Sequence, residues 1–186
     1  MELEAGPIEG VVVFRRGVYG DERGEFSELW NRARLAAAGL EVDFVQDNFS
    51  RSEAGVLRGM HLQAPPFAQG KLVTVISGRA FDVGIDLRED SPTFGVQYAL
   101  ELSAAEGTSV YWPRGIAHGF LALSQVLLHY KCDAPYAPQA ELTLAWDDAR
   151  AGIAWPLEGT PKLSPKDREG TSWEDTLQAM REASQV

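Results

Sequence analysis

Short apolar runs closed by Gly, Pro, Asp or Ser follow one another every ten residues or so through the middle of this chain, with no helical stretch between them. They read GVVVFRR, VDFVQDNFS, KLVTVISG, AFDVGIDLR, QYALELS, TSVYWP, VLLHYKC and ELTLAW. Several alternate in polarity, as in Lys71-Leu72-Val73-Thr74-Val75-Ile76 and Phe81-Asp82-Val83-Gly84-Ile85-Asp86. Successive side chains of a strand point to opposite faces, so alternation predicts sheets with one face inward. Strands without intervening helices favour a sandwich or barrel over a parallel α/β sheet and predict a mainly β double-stranded β-helix, a jelly-roll sandwich.

Helical signals are confined to the flanks. Asn31 is placed to cap RARLAAAG, with Gly39 as its stop. Thr171 and Glu174 have capping-box spacing ahead of WEDTLQAMREA, which predicts a helical tail from about residue 171. The segments QAPPFAQG and Pro156 to Gly170 read as ordered loops. A length of 186 residues fits one domain, 1–186.

No run approaches the ~18 apolar residues of a membrane span. The acidic N-terminus, MELEAGPIEG, lacks the pattern of a secretory signal, so a cytoplasmic location is expected. The 27 acidic against 17 basic residues give a net charge of −10, which repels polyanions and argues against nucleic-acid binding. A small anion remains compatible, because a few bases focused in a cleft outweigh the global field. Cys132 is the single cysteine, which excludes an intrachain disulfide and a cysteine zinc cluster.

The histidines, His61, His118 and His129, are widely separated and form no His-x-His pair, so no metal is assigned. A histidine that titrates near neutrality, tyrosines, carboxylates and strand-end bases suit a different chemistry, proton abstraction and return at carbon. Singly, each has a bland reading: a solvated strand histidine, a core aromatic at Tyr130, a turn aspartate at Asp167.

The ordered blocks DERGEFSELWN, FVQDNFSRS, GVLRGMHLQ, QGKLV, FDVGIDLREDSPTFG, PRGIAHGF, YKCDAPYAP, WDD and LSPKD change that balance. Over about residues 7 to 170 the chain resembles the dTDP-4-dehydrorhamnose 3,5-epimerase family, deoxysugar-nucleotide epimerases of the cupin superfamily. The resemblance implies a cupin-like jelly roll with short flanking helices, no metal and no organic cofactor. It also implies a dTDP-sugar substrate and a homodimer with exchanged N-terminal strands. Matched residue by residue, it makes His61 the base, Asp167 its hydrogen-bond partner and Tyr130 the acid on the opposite face of the sugar. Lys71 is the candidate for stabilising the developing oxyanion. Arg23, Glu28, Gln46, Asp47, Asn48, Arg58, Lys71, His118, Glu141 and Lys166 match positions lining the nucleotide-sugar site, and Tyr136 the aromatic that stacks on thymine. Rival readings are a family member acting at carbon 3 alone, a non-catalytic sugar-nucleotide-binding cupin and a metal-dependent oxygenase.

One stretch resists this assignment. In GVLRGMHLQ, strict alternation puts Leu57, Gly59, His61 and Gln63 on one face and Arg58, Met60 and Leu62 on the other. Arg58 and His61 serve one ligand only if the strand is irregular, and a bulge at Gly59 is the expected device.

Overall fold

The computed structural model describes residues 2–185, and its strands assemble into two sheets facing each other. In chain order the strands are β1 Glu2–Ala5, β2 Val12–Arg15, β3 Tyr19–Asp21, β4 Gly24–Phe26, β5 Gln46–Ser52, β6 Leu57–Gln63 and β7 Lys71–Ser77. They continue with β8 Arg79–Asp86, β9 Gln97–Ser103, β10 Thr108–Trp112, β11 Ile116–Ala122, β12 Val126–Cys132 and β13 Glu141–Thr143. One sheet has the order β1-β2-β10-β7-β12-β5 and the other β13-β6-β11-β8-β9, while β3 and β4 form a separate hairpin. All pairings between these strands are antiparallel, the pattern of the expected jelly roll.

Alternation separates two layers of core from each sheet. Val13, Val73, Val75, Val110 and Trp112 point inward from the six-stranded sheet and meet Ala80, Leu102, Ile116, Phe120 and Ala122 of the five-stranded one. The residues between them, Phe14, Leu72 and Tyr111, point outward and are covered by Leu35 of α1 (Arg32–Ala37) and by Leu40. On the far face of the five-stranded sheet, Met60, Leu62, Val83, Ile85 and Ala117 pack against Trp173 and Leu177 of α3 (Trp173–Ala183). Each fully buried aliphatic side chain contributes about 1.5–3 kcal/mol, so both outer coverings add to the central core.

Three details depart from the sequence reading. β11, which carries His118, and the short strands β1, β3 and β4 were not among the predicted runs. The tail helix is capped by Ser172, whose hydroxyl accepts from the Asp175 N–H, and not by Thr171. Thr171 is already committed to a strand-like bridge: its N–H donates to Thr143 O and its carbonyl accepts from Ala145. Finally, the loop from Pro156 to Gly170 contains a single helical turn, α2 (Pro165–Arg168).

Candidate active site

Between the sheets lies a cavity of about 390 Å³. The five-stranded sheet contributes Arg58 and His61 from β6 and His118 from β11, and the six-stranded sheet contributes Gln46 and Asn48 from β5, Lys71 from β7 and Tyr130 from β12. Tyr136, Glu141 and Lys166 also line it.

The bulge on β6 makes this assembly possible. Along the β6–β11 ladder His118 pairs with His61 and Phe120 with Arg58, so three steps along β6 oppose two along β11. Gly59, inside the bulge, has φ +136, and a Cβ there would stand 2.5 Å from Gly119 Cα. Only glycine fits both the dihedral and the close strand approach. The extra residue turns Arg58 and His61 toward one cavity and sends Met60 into the outer core.

His61 is held from a distant part of the chain. Its Nε2 lies 2.6 Å from Oδ1 of Asp167, which is 3% exposed and sits in α2. Ser164 caps that turn reciprocally, accepting from the Asp167 N–H at 3.1 Å and donating to Oδ2 at 2.7 Å, while the Gly59 N–H points at Oδ1 from 3.4 Å. Burial pushes the Asp167 carboxyl up, but the bonds from His61, Ser164 and Gly59 outweigh it and hold it at about 2. For His61 burial is the largest influence and, with Lys166 and Lys71 nearby, lowers the imidazole pKa below its ordinary 6.5 despite Asp167. At neutral pH the pair is therefore imidazole with carboxylate, in which Nε2–H donates to Asp167 and Nδ1 is left as the basic nitrogen.

Tyr130 is kept protonated, its pKa raised by burial and then by neighbouring Cys132. Burial lowers the Lys71 pKa, and its Nζ reaches His61 O at 3.4 Å. A second histidine–aspartate pair adjoins the first: His118 Nε2 is 2.9 Å from Oδ2 of the fully buried Asp82, whose Oδ1 accepts from Trp112 Nε1 at 2.7 Å. At the mouth, Lys166 Nζ donates to Glu141 at 2.6 Å, and the Tyr136 hydroxyl donates to the other Glu141 oxygen at 2.9 Å. Among the described residues no three or more His, Cys, Asp or Glu side chains converge as a metal site would require.

Three sequence candidates lie off this cavity. Asp47 occupies the outward position between Gln46 and Asn48 on β5, where it pairs with Lys131 at 2.6 Å. Arg23 follows Asp21 at the turn of the β3–β4 hairpin and binds its carboxylate. Glu28 accepts from Asn31 at 3.2 Å and Arg34 at 3.0 Å beside α1. Conversely, Ser50 and Gln69 line the cavity unforeseen, and Gln63, placed by alternation on the His61 face, lines it too. Alternation from Asn48 would have found Ser50. The Ser50 hydroxyl is buried there and has no hydrogen-bond partner among the described residues.

A jelly roll holding on one sheet an imidazole backed by a buried carboxylate, and on the other a protonated tyrosine, around one shared cavity, is the architecture of an acid–base enzyme. Residues 5–175 match the profile of the dTDP-4-dehydrorhamnose 3,5-epimerases, and the chain belongs to that family. It is 47% identical over 164 residues to the dTDP-4-dehydrorhamnose 3,5-epimerase of Methanothermobacter thermautotrophicus, covering 87% of this chain and 88% of that one. The crystal structure of the dTDP-4-dehydrorhamnose 3,5-epimerase from Elizabethkingia anophelis superposes with a TM-score of 0.86 at 42% identity, over 94% of this chain and 97% of the other. A dTDP-6-deoxy-D-glucose-3,5-epimerase from Legionella pneumophila, solved in complex with dTDP-4-keto-L-rhamnose, superposes with a TM-score of 0.87 at 40% identity over 92% of each chain.

Proposed function

We propose that this chain inverts carbons 3 and 5 of dTDP-4-dehydro-6-deoxy-D-glucose to give dTDP-4-dehydro-L-rhamnose, a step of deoxysugar biosynthesis, with no metal or organic cofactor. The observation that supports the reading is that His61 and Tyr130 line one cavity from opposing sheets. The keto group at carbon 4 acidifies the hydrogens on carbons 3 and 5. His61 Nδ1 removes one, and the resulting imidazolium is stabilised by the Asp167 carboxylate. Charge passes to the carbonyl oxygen as an enolate, where the Lys71 ammonium opposes it. Tyr130 then donates its proton from the other face, which inverts the carbon; exchange with solvent takes the proton from His61 and returns one to Tyr130, and repetition at the second carbon completes the reaction. Arg58 supplies a planar cation for the diphosphate, with its Nε anchored on Ser52 Oγ at 3.0 Å. Tyr136 is 52% exposed at the mouth and offers its face to the base.

Arg23 and Glu28 enter this reading through a second subunit. The β3–β4 hairpin exposes Tyr19 and Phe26 to solvent, and a homodimer that covers them would bring Arg23 and Glu28 to the partner's cavity. β1 pairs with β2 of its own chain here, so strand exchange at that edge is part of the same proposal. Mixing Arg23→Ala with His61→Ala subunits should restore activity, because one site per mixed dimer is then intact; two inactive proteins that stay inactive on mixing contradict it.

The reaction itself is tested by incubating the protein with dTDP-4-keto-6-deoxy-D-glucose in heavy water and following both ring positions by NMR. Deuterium at carbons 3 and 5 with inversion at both is expected. Deuterium at carbon 3 alone makes the protein a 3-epimerase, and none at either position leaves a binding protein.

A further inference from the structure

The segment Ala134 to Ala137, which carries Tyr136 at the cavity mouth, is held mostly by side chains of other elements. Gln63, at the end of β6 and 4% exposed, donates from Nε2 to Phe67 O at 2.6 Å and to Pro135 O at 3.3 Å, and its Oε1 accepts from the Ala137 N–H at 2.9 Å. Gln69, also buried, donates to Ala134 O at 2.6 Å. Gln46 accepts from the Tyr136 N–H at 2.8 Å, and Gly70 N–H donates to Asp133 Oδ1 at 2.7 Å.

The β6 ladder does not itself require a glutamine at its final position, because the ladder bonds are made by the backbone. What the amide does supply is a donor to Pro135 O and an acceptor for the Ala137 N–H, the groups on either side of Tyr136. Buried backbone groups without partners are costly, so the segment adopts the one arrangement in which these partners reach it. With its backbone fixed by Gln46 and Gln63 and its hydroxyl by Glu141, the Tyr136 ring is preorganised while its face stays open.

We propose that Gln63 and Gln69 are positioning residues that lock this segment so that Tyr136 presents a rigid stacking platform to the nucleotide base. The proposal rests on the reading of Tyr136 as the base platform. A side chain ordered before binding loses less freedom when the ligand arrives, so removal of the lock should weaken substrate binding and spare the chemistry.

The test compares wild type, Gln63→Met, Gln69→Met, Tyr136→Ala and the double variant Gln63→Met with Tyr136→Ala, using dTDP-4-keto-6-deoxy-D-glucose. Tyr136→Ala should raise KM roughly 10-fold or more, the loss of one stacked base. Gln63→Met and Gln69→Met should each raise KM about 3- to 10-fold with kcat within about 2-fold, and Gln63→Met should speed hydrogen exchange of the Ala137 amide. In the double variant, Gln63→Met should add nothing to Tyr136→Ala. An additive effect, or an unchanged KM in both glutamine variants while Tyr136→Ala is impaired, overturns the lock and leaves the platform standing. An unchanged KM in Tyr136→Ala overturns the platform, and the lock with it. Should Gln63→Met fail to fold, Gln69→Met, which removes a single hydrogen bond, decides the outcome by the same KM and kcat criteria.

Discussion

β5 and β6 both deliver side chains to the cavity, and they do so by opposite means. β5 is regular: Gln46, Asn48 and Ser50 face inward, while Asp47, Phe49 and Arg51 are exposed on the other side. Every second residue reaches the cavity, evenly spaced, which suits the grip of an extended ligand. β6 breaks that rhythm at Gly59, and the break brings a cation and a base, three residues apart, to one face. A regular strand can line a site; an interrupted one sets side chains from both of its faces against the same ligand.

The contrast is broken most severely at the base. His61→Ala should lower kcat by about 100- to 10,000-fold, the usual worth of a general base. With His61 intact, the acid limb of the pH profile should have its midpoint below 6.5, because burial lowers the imidazole pKa from its ordinary value. A steady-state pH profile with its acid limb above 6.5 would place the base elsewhere.

The bulge comes next. Gly59→Ala forces a side chain into a positive-φ site and into contact with Gly119, and it should cost about 3 kcal/mol in denaturant unfolding. Activity should fall further than stability alone explains, since Arg58 and His61 lose their common aim. A variant as stable and active as wild type would show that the irregular register is incidental.

The smallest effects belong to β5 and test its alternation directly. Ser50→Ala should raise KM a fewfold, because a buried hydroxyl on the cavity wall is lost. Asp47→Ala should leave KM and kcat within about twofold and cost about 1 kcal/mol, since the Asp47 end of its pair with Lys131 is solvent-exposed. If Asp47→Ala proves the more damaging of the two, the inward and outward faces of β5 have been exchanged.

The same two strands show what was legible beforehand. The alternation of β5 was visible in QDNFSRS and, applied strictly, removes Asp47 from the candidates and adds Ser50. The reading of β6 needed the opposite, an exception at Gly59, and the glycine announced it. Asp167 was harder, since its place under His61 depends on a contact across 106 positions, although Ser164 three residues before it, with Pro165 between, spells a capped helical turn. Gln63 was seen on the His61 face, but its partners lie on a loop whose path no local pattern encodes. Arg23 and Glu28 came from the family resemblance, and the folded single chain keeps both off the cavity.

The central claim is that base and acid act on the sugar from opposite sheets, and Tyr130→Phe in heavy water tests it most directly. NMR of dTDP-4-keto-6-deoxy-D-glucose should show hydrogen replaced by deuterium with configuration retained, because His61 still removes and returns a proton from its own side while inversion is lost. Inversion at the wild-type rate, or loss of exchange together with inversion, would contradict the division of labour between the two sheets.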